Sequence, residues 1–559
     1  MRKFYYVLIV LIINSNINAN TKMNVFNITD YGAKGDGITL DTKSIQHAID
    51  ECFSKGGGTV YFPAGKSFLT GTIYLKSNIT LLIGNGAQLL GSNDMKDYTD
   101  DTGICPYYPE PLDKCLIYAE NANNITIEGQ GTINGQYKGD LFKQIEGAEG
   151  RDAKQRPMLI RFYECQDIHM RDLMLKGSAS WCNHFKYCNN IKLEDLTIFN
   201  DRQDGFNIES CEEITISNCN LKCGDDGIAL TTSHKDKPLK NMTVTNCIIS
   251  SNWAAIRLGP LSKGNYENIT VSNCVFHNCY GGGIKLGMFE GAKIRNCIFS
   301  DIVMDSVTCP IGIFIVRYNE IGTLNEEKEL MPAGEIENIL FQNMIIKAIN
   351  RPVPEIKKKL KKQYDTRVHP NWASTIFIHG HPEMDIKNVQ LNNIQVTFPG
   401  GGTKSEGVFR DMEDMDTKGE KGVWTEHKKW GVMPAYGIYA RHISRLEMKN
   451  VRLGYIEEDE RTPVFIYESG EVDIQDMKAK TSSNAEAFIT LRNSEDCRIY
   501  NSQPVNNTET FLCVEGAKSN NITLMNNDFR KVETEVKFKR SAVKDSVYLQ
   551  GNIGNIGVE

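Results

Sequence analysis

From about residue 125 onward the chain alternates apolar and polar positions in runs of strand length, and one phrase keeps returning. Its copies read Ile168-His-Met-Arg-Asp172, Ile191-Lys-Leu-Glu-Asp195, Ile214-Thr-Ile-Ser-Asn218, Met242-Thr-Val-Thr-Asn246, Ile269-Thr-Val-Ser-Asn273 and Lys293-Ile-Arg-Asn296. The closing turn positions are separated by 23, 23, 28, 27 and 23 residues, which is a solenoid period. Each copy holds period-two runs bounded by Asn, Asp and Gly, with no room for a full helix. Stacking such coils pairs each strand with its equivalents above and below and buries one column of Ile, Val, Leu and Cys that no single coil buries alone. An Asn at the same corner of every coil suits a left-handed turn. The pattern predicts an all-β chain wound as a parallel β-helix; the leucine-rich-repeat alternative lacks its LxxLxL signature.

Later copies, Ile339-Leu-Phe-Gln-Asn343, Val389-Gln-Leu-Asn-Asn393 and Leu446-Glu-Met-Lys-Asn450, are farther apart, so long loops interrupt the coils there. Two insertions are expected: a Lys-rich helical excursion over Glu355 to Arg367, and a polar loop over Thr403 to Tyr436 carrying Trp424 and Trp430, placed to wall a cleft. An open solenoid end exposes apolar core and strand edges, which calls for a cap. Asp41 to Phe53 supplies one, with Ile45, Ala48, Ile49, Cys52 and Phe53 on one helical stripe and Gly56-Gly57-Gly58 returning the chain to strand. No GK[ST] follows these glycines, so they are not a phosphate loop. The domain reading is a cap and entry region over about 24–100, regular coils over about 115–350 and loop-bearing coils over about 350–559, together one domain over 21–559.

Composition narrows the function classes. The chain has 559 residues, 40% apolar and 24% charged, as in a folded soluble domain, and a formal charge of -7 that argues against nucleic acid as partner. An acidic ligand must then be read by a few specific Lys or Arg side chains. Arg2 and Lys3 followed by the apolar run Phe4 to Ile13 have the layout of a secretory signal peptide over 1–20, too short to span a bilayer. Export with cleavage near Ala19, a secreted or periplasmic location and a monomer are expected. The sixteen cysteines include Cys219, Cys247, Cys274 and Cys297, each following an Asn of the repeat, and these read as stacked interior thiols. Cys105 with Cys115 and Cys182 with Cys188 remain open as bridges. No zinc-type spacing occurs, and no cofactor or metal is expected.

The candidate chemistry is acidic. Asp204 lies in Gln-Asp-Gly-Phe-Asn-Ile, and Asp225 and Asp226 lie in Cys-Gly-Asp-Asp-Gly-Ile-Ala-Leu, 21 and 22 residues further on. That is close to one coil, and matching positions on adjacent coils lie about 4.8 Å apart, so the carboxylates should meet on one face. Like charges that close are costly unless a reaction uses them. Glycoside hydrolysis does so, with one protonated carboxyl for the leaving oxygen and another carboxylate for water. Calcium binding is the alternative use of such a cluster.

At this point the chain resembles glycoside hydrolase family 28, the polygalacturonases and their relatives. The resemblance runs from Asp30-Tyr-Gly-Ala-Lys-Gly-Asp-Gly37 through Tyr61-Phe-Pro-Ala-Gly65 and Arg156-Pro-Met-Leu-Ile-Arg161 to the coils around Asn450. It implies a right-handed, single-stranded parallel β-helix and hydrolysis with inversion. The family's Asn-x-Asp motif corresponds to Gln203 and Asp204, with Asn200 upstream, and its Gly-Asp-Asp motif is matched by Gly224-Asp225-Asp226. By that resemblance Asp225 is the general acid, and Asp204 and Asp226 hold the attacking water. Two motifs depart: Trp253-Ala254-Ala255 replaces Gly-His-Gly, and Gly283-Ile284-Lys285 replaces Arg-Ile-Lys, so the Arg that with Lys grips a uronate carboxylate is missing. Arg257 is placed to substitute for it.

The reading is an inverting hydrolase of a pectic or related acidic polysaccharide or oligosaccharide, with Asp204, Asp225 and Asp226 catalytic. Lys285, Arg257, Trp181 and His184 are its substrate-binding candidates. For Trp181 and His184 core packing is an equal alternative, and His277 and Tyr280 rank lower. A β-eliminating polysaccharide lyase and a non-catalytic carbohydrate-binding β-helix are the alternatives.

Overall fold

The computed structural model describes residues 24–99, 114–137, 156–316, 332–350, 375–406 and 432–554. The segment 1–20 expected to be a signal peptide, the 355–367 insertion, Trp424, Trp430 and Cys105 lie outside these residues. Coil after coil stacks in parallel, giving a right-handed parallel β-helix. Fifteen described strands, from Ile73–Tyr74 to Val532–Lys539, follow one another in chain order across one sheet. The other walls merge into a second, larger sheet.

The register explains why the sequence takes this form. Phe206 stacks on Ile228, Ile228 on Ile256, Ile256 on Ile284 and Ile284 on Ile311, so inward positions of successive coils make one continuous apolar column. Outward positions alternate with them. Each coil turns at corners where a non-glycine residue adopts the left-handed region: Asp172, Asp195, Asn218, Asn246 and Asn273 have φ of 60, 53, 56, 55 and 54°. Asparagine is favoured there because it tolerates this conformation and because its side-chain amide reaches its equivalent on the next coil. Asn268 donates to Asn241 at 2.9 Å, and Asn296 to Asn268 at 3.1 Å.

That ladder corrects one reading. Asn296 belongs to the corner of Asn241 and Asn268, and Asp301 occupies the corner of Asn273. Cys297 therefore stacks on Ile269, whereas Cys274 is followed by Ile302. The two corners use the same residue chemistry five positions apart, so sequence phase alone does not separate them. Cys182 and Cys188 are both free and sit at opposite ends of one extended strand, out of bridging range. All fifteen described cysteines are buried thiols.

Thr42–Ser54 forms the cap helix and buries Ile45, Ala48, Ile49 and Cys52. Phe53 leaves the stripe: it is 45% exposed, and the Lys76 ammonium lies 5.2 Å from its ring centroid. No helix among the described residues is long and apolar enough to cross a membrane.

The corner ladder gives a direct test. Asn268→Ala removes two inter-coil hydrogen bonds and places a side chain without local compensation at φ 58°, a conformation costing about 1–2 kcal/mol. Asn268→Gly loses the same bonds but not the conformational preference. The melting temperature should fall in both and fall further in the alanine variant; the reverse order would contradict this account of the corner.

Candidate active site

The three aspartates stand at the entry ends of two adjacent strands in the fifteen-strand sheet, Phe206–Glu209 and Ile228–Thr232. Backbone bonds fix their rungs: Cys182 N–H donates to Asp204 O at 2.9 Å, Gly205 N–H to Asp226 O at 3.1 Å and Gly227 N–H to Ala254 O at 2.9 Å. Trp181, Asp204 and Asp226 thus precede equivalent strands on three consecutive coils, and Ala254 opens the strand of the fourth. Two turns are held tightly. Asn200 donates through Nδ2 to Ser180 O and Asp204 O at 3.0 and 2.9 Å. At Gly224 a Cβ would lie 2.0 Å from Asp201 O, so only glycine lets the chain pass beside the Asp204 turn.

One carboxylate oxygen from each of Asp204, Asp225 and Asp226 falls within 4.8 Å of the others. Their surroundings differ. Asp204 is buried, with Oδ1 accepting from Asp226 N–H at 3.2 Å and Oδ2 from Asn207 Nδ2 at 3.0 Å. Asp226 is buried, with Oδ1 accepting from Ala254 N–H at 3.0 Å and Oδ2 facing Arg257 Nη1 at 3.4 Å. Asp225 alone is partly exposed. At an effective dielectric of about 20, two carboxylates at this separation repel by about 3 kcal/mol. Burial, reinforced by the charges of Asp225 and Asp226, holds the Asp204 carboxyl well above the ordinary carboxylate range. The cluster therefore resists full ionisation, with Asp204 the member that holds its proton most strongly.

The donor set does not suit calcium. Both Asp204 oxygens already accept N–H bonds and one Asp226 oxygen faces a guanidinium, whereas Ca²⁺ takes six to eight oxygens. Arginine beside a carboxylate is the partner expected where no cation intervenes.

The other candidates lie along the same wall. Arg257 follows Ala229 in register and Lys285 follows Arg257. The Lys285 side chain is buried, its ammonium 5.0 Å from the Trp253 ring centroid. Trp181 is 5% exposed and packs with Cys115, Tyr118 and Met158, its ring 5.1 Å from the His184 imidazole. His184 is fully buried, with Nε2 3.0 Å from Glu209 Oε2, and Lys186 Nζ lies 2.6 Å from the other Glu209 oxygen. Burial lowers the His184 pKa to about 4, leaving a neutral ring at pH 7. Burial alone would raise Glu209, but the His184 hydrogen bond and the Lys186 charge outweigh it and bring it to about 2. Trp181 and His184 are thus buried side chains of the coil that precedes Asp204. His277 faces outward from the larger sheet, its ring meeting the side chain of Asn278, and Tyr280 stands two residues before the strand Gly282–Met288.

Asn207, Lys186 and Glu209 escaped the sequence reading. Their signal is alternation: in Phe206-Asn-Ile-Glu209 the apolar residues point inward, so two polar residues face outward from strands that are buried throughout. A polar side chain at such a position must be satisfied by neighbours: Asn207 meets Asp204, and Glu209 meets His184 and Lys186.

Comparison with known proteins gives the same family. The profile of "Glycosyl hydrolases family 28" matches residues 52–345, more than half of the chain. A probable polygalacturonase of Vitis vinifera is 30% identical over 302 residues, covering 50% of this chain and 60% of that protein. An exo-poly-alpha-D-galacturonosidase of Dickeya chrysanthemi is 28% identical over 378 residues, 57% of this chain and 62% of that one. The chain thus spans less than two thirds of the length of these relatives. In fold it is similar to the family 28 exopolygalacturonase of Yersinia enterocolitica, with TM-score 0.59, 19% identity and coverage of 82% of this chain and 78% of that one. The chain belongs to glycosyl hydrolase family 28.

Proposed function

We propose that this protein hydrolyses a glycosidic bond in a pectic, uronate-containing polysaccharide or oligosaccharide, with inversion at the cleaved carbon. The observation that carries this reading is the convergence of three carboxyls from two successive coils, within 4.8 Å, in three different environments. Asp225, the exposed member, is the general acid toward the leaving oxygen. Asp204 and Asp226 hold the attacking water. Lys285 and Arg257 supply positive charge for the uronate on the later coils, while Trp181 and His184 shape the floor on the earlier one. The relatives' printed names point to galacturonate, but the departures at Ala254 and Gly283 favour a sugar partner other than plain galacturonan equally well. Residues 21–559 act as one catalytic domain, exported by the segment 1–20 and working as a monomer.

The carboxyl separation calls for a choice. A spacing below the about 6.5–9.5 Å of most inverting enzymes approaches that of retaining ones. Retention, however, needs a carboxylate that reaches the anomeric carbon. Asp204 and Asp226 are buried with their oxygens engaged, so a water reaches where they do not. Incubation with pectic fragments followed by proton NMR should therefore show the inverted anomer first, β from an α linkage. First appearance of the retained anomer would overturn this part of the mechanism. Tight binding without turnover across a broad pectin panel would replace the hydrolase by a carbohydrate-binding protein, and an unsaturated product would replace it by a lyase.

A further inference from the structure

The position that holds histidine in the family motif is Ala254, buried and apolar. One coil carries its nearest compensation. Arg257, three residues further along the same strand, is 9% exposed and sets Nη1 3.4 Å from Asp226 Oδ2. The other Asp226 oxygen is fixed by Ala254 N–H at 3.0 Å. Five further titratable groups surround this pair, among them the Tyr266 phenol, within electrostatic reach of Arg257. Asp204 faces Asp226 from the coil before, and Asp225 adjoins it in the chain. The Cys223 thiol lies within electrostatic reach of Asp204 and Asp226. Lys285 is the register partner of Arg257 on the coil after. Arg257 is in direct contact with a cluster carboxylate, that of Asp226.

We propose that Arg257 is a positioning residue that decides the division of labour among the aspartates: it holds Asp226 as the ionised carboxylate, and hence as the base, leaving protons on Asp204 and Asp225. This rests on the hydrolase reading of the acidic cluster. The proton count closes. Water oxygen bonds to the anomeric carbon as the bond to the leaving oxygen breaks; the water proton passes to Asp226 and the Asp225 proton to the leaving oxygen. The cluster carries one negative charge before and after the step, opposite one guanidinium. Asp225, open to solvent, then regains a proton as Asp226 releases one. A guanidinium does this work without titrating, which a histidine in the same place would not.

The test is a set of full-length variants, Arg257→Gln, Arg257→Lys and Asp226→Asn, with the double variant R257Q/D226N. If Arg257 keeps Asp226 charged, the acid limb of the kcat/KM profile of R257Q moves upward by about one to three pH units, kcat falls along with any rise in KM from the lost uronate contact, and R257K returns the limb most of the way. A merely structural arginine lowers activity with the limb in place, and that result would overturn the proposal while leaving the hydrolase reading intact. Thermal melting reads the pair without substrate. Loss of the cation raises the folded-state pKa of Asp226, so the deficit of R257Q relative to wild type should be larger at pH 7 than at pH 4. In the Asp226→Asn background the deficit should not vary with pH; a deficit equally pH-dependent there would overturn the pairing. Wild-type protein inactive on every pectic substrate would overturn the hydrolase reading and the base role together, whichever way the melting cycle falls.

Discussion

Asp225→Asn is expected to lower hydrolysis of a pectic substrate by about 10²–10⁴-fold while the coil stack stays folded. Asp225 is the partly exposed member of the cluster, and neither stacking of the apolar column nor the corner ladders pass through its side chain. An amide of the same shape leaves the Gly224–Gly227 turn as it is but has no proton to give the leaving oxygen. The loss should therefore fall on kcat and be smaller for substrates with good leaving groups, which need less help from an acid. Release of reducing ends followed with mass analysis of products checks this, and circular dichroism checks the fold. Full activity in the variant would remove Asp225 from the mechanism.

Much of this site was legible in the sequence because the fold is a periodic object. Once a coil is about 23 to 28 residues long, two stretches one period apart must face each other, and Asp204 with Asp225 and Asp226 follow. The corners were legible for a similar reason: a left-handed residue on every coil demands a residue that tolerates it. What the period does not convey is phase between equivalent features. Two corners five residues apart share one chemistry, which is why Asn296 and Cys297 fell one column from where the repeated phrase had put them. Nor does the period convey which outward side chains touch. Arg257 and Asp226 are 31 residues apart, more than any interval between the early turn positions, and meet because the longer coil after Asp226 still returns the strand to register. The roles expected of Trp181 and His184 depended on exposure, which no alternation pattern specifies. Both are buried on the coil before Asp204, Trp181 packed with Met158 and Tyr118 and His184 paired with Glu209.

Asp204→Asn should do two opposite things: lower the activity, by altering the hydrogen bonds that hold the attacking water, and make the protein more resistant to heat at neutral pH. The sign follows from the raised pKa of Asp204, caused by its burial and by the charges of Asp225 and Asp226. A carboxyl whose folded-state pKa exceeds its unfolded value of about 3.9 contributes its full stability below that value and loses it as pH rises toward the folded pKa. At pH 7 the unfolded chain gains more by ionising Asp204 than the folded chain does, so the wild-type side chain costs stability there. The amide removes that cost while keeping an oxygen to accept Asp226 N–H, and its NH₂ group can be met by Asn207, whose Oδ1 is buried without a partner, if that amide turns over. Each unit of pKa elevation is worth about 1.4 kcal/mol, so the melting temperature of D204N relative to wild type should rise from pH 4 to pH 7 by an amount calorimetry can read. A difference that stays flat over this range would mean that Asp204 is not held protonated by its neighbours. An activity loss with a stability gain in the same variant is what separates a carboxylate cluster kept for its chemistry from one kept for the fold, because a structural cluster must lose stability when a member is neutralised.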